Sequence, residues 1–85
     1  MDARTKTLGE YRVGIDFNPS GDETVTEIKA KTAELIDLCN SHVENRVQIP
    51  EIPIGEEIRL WALAMTHFED AAMWAVKAAT KKPRP

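Results

Sequence analysis

The sequence predicts an all-α fold: an antiparallel two-helix hairpin with an extended N-terminal arm, assembled as a homo-oligomer. Three observations carry this. Apolar residues in the first half recur at three- and four-residue steps behind a helix-start signal. Pro50 and Pro53 then interrupt any continuous helix. Beyond them, a second helical segment carries two apolar stripes, one more than a hairpin needs.

Residues 1–19 read as the arm. Leu8, Tyr11, Val13, Ile15 and Phe17 are interspersed with charges, glycines and Pro19. VGIDF alternates apolar and polar residues, which describes extended chain lying across another element, after at most a helical turn around residues 3–10. Ser20 and Glu23 have the Ser-x-x-Glu form of a capping box, so helix one is placed over 20–44. Its stripe steps through Val25, Ile28, Thr32, Leu35 and Cys39, widened by Ile36 and Val43. A loop over 45–54 follows, with Val47, Ile49, Ile52 and Ile54 as apolar pins.

Helix two is placed over 55–81. Glu56 and Glu57 lie in its first turn and Lys77, Lys81 and Lys82 near its end, the arrangement that complements a helix dipole. One stripe is Trp61, Met65, Phe68, Ala72, Ala75 and Ala79; the other is Leu60, Leu63, His67, Ala71, Trp74 and Ala78. The first suffices to pack on helix one. The alanine-rich second stripe permits close approach of another helix, hence association with copies of the same chain.

At 85 residues the chain fits a single domain, marginal in its ability to bury a core alone. Cys39 is the sole cysteine, so no internal disulfide supports the fold, and it reads as a small buried hydrophobe in a reducing cytoplasm. A formal net charge of −3 argues against a long nucleic acid as partner. It leaves room for a small anion held in one local basic pocket. No signal peptide or membrane-spanning run is expected.

Catalytic chemistry is poorly supplied. His42 and His67 are isolated, and no Ser–His–Asp pattern, phosphate-cradling glycine loop or CxxC occurs. His67 with Asp70 can meet at i,i+3, a pairing read as an interface histidine rather than a metal site. Neither enzyme activity, cofactor nor metal is expected. Small-anion binding is better supplied: Tyr11, Arg12, Phe17 and Asn18 lie together on the arm, with Lys29 and Lys31 early on helix one. Aromatic rings stack on bases, and Lys or Arg meets phosphate.

Tyr11-Arg12, Pro19-Ser20, Ile28-Lys29, Leu35-Ile36-Asp37 and the closing THFEDAAMWAVKAATK occur in an order that resembles one family over roughly residues 9–80. This is the phage anti-CBASS cyclic-oligonucleotide sponge family, whose helical hairpin domain is shared with some anti-Thoeris proteins. The resemblance implies a non-enzymatic homo-oligomer, commonly a hexamer, acting in the cytoplasm of the infected bacterial host. It implies sequestration of cyclic dinucleotides such as cyclic GMP-AMP, with cyclic trinucleotides and cyclic ADP-ribose species as further candidates. By position, Tyr11 resembles the base-stacking tyrosine and Lys29 the phosphate-binding lysine; Phe17 is the alternative stacking residue. Arg12, Thr66 and Lys77 complete the expected ligand set. Met65 stands where some members carry an arginine used for a trinucleotide, a departure that bears on that ligand. The competing reading is a helical protein–protein interaction module with no small ligand.

Overall fold

The computed structural model describes residues 5–48 and 53–84. Three helices follow in order: α1 (Leu8–Val13), α2 (Glu23–Arg46) and α3 (Gly55–Ala79). Among the described residues the secondary structure is entirely helical. α2 and α3 form the hairpin, and α1 lies against α2 and touches α3. Ile49 and Ile52, expected as loop pins, fall outside the described residues.

The arm corrects the expectation of extended chain. Thr7 caps α1, accepting from the Glu10 N–H at 3.1 Å, while the Glu10 carboxylate accepts from the Thr7 N–H at 3.0 Å. That reciprocal pair is a complete capping box. At the other end, Gly14 adopts φ 66°, ψ 57°, and Ile15 N–H reaches back to the Glu10 carbonyl at 3.0 Å. This closure needs a left-handed residue, which glycine supplies without steric cost. The alternation in VGIDF marks the turns leaving this helix, not a strand.

The start of α2 corrects the expected Ser20–Glu23 box. Asp22 is the cap, its carboxylate accepting from the N–H groups of Thr24 at 2.7 Å and Val25 at 3.4 Å. Ser20 is spent in the preceding turn, where its hydroxyl donates to Asn18 Oδ1 at 3.3 Å and Gly21 N–H bonds the Asn18 carbonyl at 3.0 Å. α2 therefore starts later than residue 20. α3 ends at Ala79, short of the expected 81.

Ile36, Cys39 and Met65 form the core, with Val13, Val43, Trp61, Ala64 and Phe68 packed around it. Cys39 is a free, buried thiol. The inward face of α2 runs through Val25, Lys29, Ala33, Ile36 and Cys39. Leu35, assigned to that face from the sequence, is 40% exposed. The cause is α1: α2 serves two neighbours at once, and its buried face rotates toward the side where α1 docks. At the loop end of the hairpin, Arg46 Nε donates to both carboxylate oxygens of Glu57 (3.0 and 3.1 Å), and Trp61 Nε1 donates to the same group at 3.2 Å. In the first turn of α3, Arg59 bonds Glu56 at 2.7 Å and holds that carboxyl below its ordinary pKa.

The stripe Trp61–Met65–Phe68–Ala72–Ala75–Ala79 is buried or half-buried throughout, and every residue of the other stripe, from Leu60 to Ala78, is exposed. The molecule measures 59 × 37 × 12 Å. Its short dimension is about one helix diameter, so the fold is a single layer. Arg12 of α1 reaches Glu69 and Thr66 on α3. Leu35 and Leu38 of α2 and Leu63 and Trp74 of α3 all point away from the seam between the two helices. These four are 40%, 55%, 43% and 56% exposed. No described helix is long and apolar enough to cross a membrane.

Candidate functional site

The most chemically loaded feature is a groove where the arm crosses α2 and α3. Lys29 lies at its base. The helical repeat that points Val25, Ala33 and Ile36 inward also points Lys29 inward, and only 6% of the residue is exposed. Its alkyl stem crosses apolar surroundings, and its ammonium donates to the Gly14 carbonyl at 2.9 Å and to the Phe17 carbonyl. These carbonyls lie at the end of α1 and in the following turn, where negative partial charge accumulates. The Phe17 ring lies 5.5 Å from the same ammonium, within cation–π range.

Among the described residues, three tethers hold α1 and its closing turn against α2 and α3. Besides Lys29, the Asp37 carboxylate accepts from the Gly9 N–H at 2.7 Å. Gly9 is buried, and a Cβ at that position would stand 2.1 Å from the Ala33 carbonyl oxygen. The third tether is Arg12, whose Nε donates to Glu69 at 2.7 Å and whose Nη2 makes a long 3.4 Å contact to Thr66 Oγ1.

Two cavities flank Lys29. One, about 330 Å³, is lined by Arg12, Val13, Lys29, Glu69, Ala72, Met73 and Val76. The other, about 340 Å³, lies beside Phe17 and Asn18 and reaches Thr80 and Lys82. Lys29 and Val76 border both, so the two form adjoining parts of one groove. An apolar floor, cations at base and wall and an aromatic rim can accept a planar ring and an anionic group together.

Arg12, Phe17 and Lys29, chosen from the sequence, thus come together on the groove. Tyr11 is on α1 but 76% exposed, and it lines neither cavity. Thr66 borders a smaller hollow of about 200 Å³ with Glu69, Asp70 and Met73. Lys77 stands apart, its ammonium 5.3 Å from the Trp74 ring centre. His67 and Asp70 are both exposed, and among the described residues no cluster of His, Cys, Asp or Glu could hold a metal ion. His42 stacks on Trp61 at 4.8 Å, with the rings 3° from parallel. Sequence reasoning missed Asp37 as a tether, Glu69 as the partner of Arg12, and Lys82 on the groove. Only Asp37 left a local signal, inside the quoted Leu-Ile-Asp run.

The family model described as the Acb2/Tad1 hairpin domain matches residues 10–80. Neither a curated protein nor a solved structure shows a significant match to the chain.

Proposed function

The chain belongs to the Acb2/Tad1 hairpin-domain family, and from that premise we propose that it sequesters cyclic dinucleotides such as cyclic GMP-AMP without turnover. The observation that carries this is Lys29 at the base of a groove walled by Arg12 and rimmed by Phe17. Two of the three lysine N–H donors lie on carbonyls, leaving the third for a phosphate oxygen. Tyr11, exposed beside the groove rather than in it, suits stacking on a base held by a neighbouring protomer. A ligand with near two-fold symmetry would then sit between two copies. Sequestration in the host cytoplasm keeps the signal from its effector, which blocks CBASS signalling. Cyclic trinucleotides and cyclic ADP-ribose species are secondary candidates.

Titration calorimetry with cyclic GMP-AMP tests the binding. Heat unfolding of the complex should return the nucleotide intact; recovery of linear products would overturn a sponge mechanism. Tyr11→Ala is expected to weaken binding by about 1–3 kcal/mol, the usual value of one stacked base. Its Tm should stay close to the parent's, because an exposed side chain contributes within about 0.5 kcal/mol. Unchanged affinity in that variant would remove Tyr11 from the site.

The exposed apolar face is the second half of the proposal. A layer 12 Å thick that leaves Leu35, Leu38, Leu63 and Trp74 exposed has apolar surface still to be packed. Copies of the chain fill it, and a hexamer is the expected assembly. Leu63→Glu should shift native mass spectra to smaller species and lower Tm at a given concentration. A hetero-partner on the same face is the competing reading. It predicts a monomer in solution and no thermal shift with cyclic dinucleotides.

A further inference from the structure

Glu69 is an odd residue to find on an anion site. It lines the same cavity as Arg12 and Lys29, and it is the acid among that cavity's lining residues. Its carboxylate is 2.7 Å from Arg12 Nε, with the two side chains 45% and 23% exposed. Half of the Glu69 side chain thus remains toward solvent, where an incoming anion meets its charge. Asp70 does not line this cavity; with Thr66, Glu69 and Met73 it borders the smaller hollow.

The charges balance in a particular way. The Arg12–Glu69 pair is neutral as a unit, so Lys29 is the uncompensated cation of this cavity. One positive charge matches one phosphodiester, which carries a single negative charge. A terminal phosphomonoester carries about 1.5 to 2 negative charges at neutral pH. Each added negative charge meets Glu69 as well as Lys29, and the two contributions oppose each other.

We propose that Glu69 is a specificity-determining residue: it holds Arg12 in a neutral pair so that the groove prefers a phosphodiester monoanion to a phosphomonoester dianion. The inference rests on the sponge reading and deepens it. It explains how a cavity lined by two cations, Arg12 and Lys29, can favour a cyclic nucleotide over its linear, 5′-phosphorylated hydrolysis product. In a cell such linear products and free mononucleotides would otherwise occupy the sites.

The test compares affinities of the full chain for cyclic GMP-AMP and for its linear 5′-phosphorylated form. Glu69→Gln keeps the shape and a hydrogen-bond acceptor for Arg12 while removing the charge. Its preference for the cyclic ligand should fall about five- to tenfold relative to the parent, the scale of one charge within a Debye length. Glu69→Asp should restore the preference, which a merely structural role of the side chain would not require. In the unmodified protein the preference should also shrink as salt is raised, a measurement independent of any variant's folding. An unaltered preference in Glu69→Gln, or a salt-independent one in the parent, overturns the inference while leaving the sponge reading intact. Absence of cyclic dinucleotide binding by the parent overturns that reading, and this inference with it.

Discussion

Gly9→Ala should detach the arm. The added Cβ would meet a backbone oxygen of α2 at 2.1 Å, and backbone on a core helix cannot swing aside as a side chain can. α1 must therefore move outward, which lengthens the 2.7 Å bond from Gly9 N–H to Asp37 and draws Arg12 away from Glu69. Overpacking of this kind costs typically 1–3 kcal/mol, and losing the tethers adds to it. At roughly 4–8 °C per kcal/mol for a domain of this size, thermal unfolding should show a drop on the order of 10 °C. Binding of cyclic dinucleotides should disappear with it, since the wall carrying Arg12 is displaced. A variant with unaltered Tm and affinity would mean that α1 does not dock where the structure puts it.

Lys29→Met is expected to have the second large effect, and a double one. Methionine matches the apolar stem but leaves the Gly14 and Phe17 carbonyls without their donor. A hydrogen bond from a charged group contributes about 1.5–3 kcal/mol, so stability should fall by a comparable amount. Affinity should fall by one to two decades if the ammonium also meets phosphate. Gly9→Ala also lowers Tm and affinity together, so the two effects separate only when stability is restored independently. A Lys29→Met protein whose Tm is restored by a stabilising substitution elsewhere should still bind poorly. Recovery of full affinity under those conditions would make Lys29 a purely structural residue.

The hairpin was legible because its signals are local. Pro50 and Pro53 rule out helix through the loop, and the period of α3 sorts its residues correctly into a packed stripe and an exposed one. The arm was not legible in the same way. The alternation of Val13, Ile15 and Phe17 outweighed the capping box of Thr7 and Glu10, which is equally local and decides the structure. At the start of α2 two acceptable caps compete. Asp22 prevails because Ser20 is engaged with Asn18 in the turn. Leu35 falls outside the buried face because a stripe drawn for one neighbour ignores the second.

At the site, Lys29, Arg12 and Phe17 could be chosen by residue type, but their partners could not. The Lys29 ammonium is met by main-chain carbonyls, which have no signature in composition. Arg12 and Glu69 are brought together only by the crossing of α1 over α3. Thr66 enters as a partner of Arg12, and Lys77 lies over Trp74, away from the groove.

The arm's helix has a kinetic consequence. Six residues are too few to hold a helix in water, so α1 is helical only while it is docked. One wall of the groove therefore does not swing open as a rigid flap; it melts and re-forms. Amide protons of residues 8–13 should exchange through this local event, well before those of residues 25–43 in the core of α2. A ligand seated in the groove should slow the first set and leave the second nearly unchanged. The exchange rate at α1 then measures how often the groove is open, and sets an upper bound on how fast a ligand held there can leave.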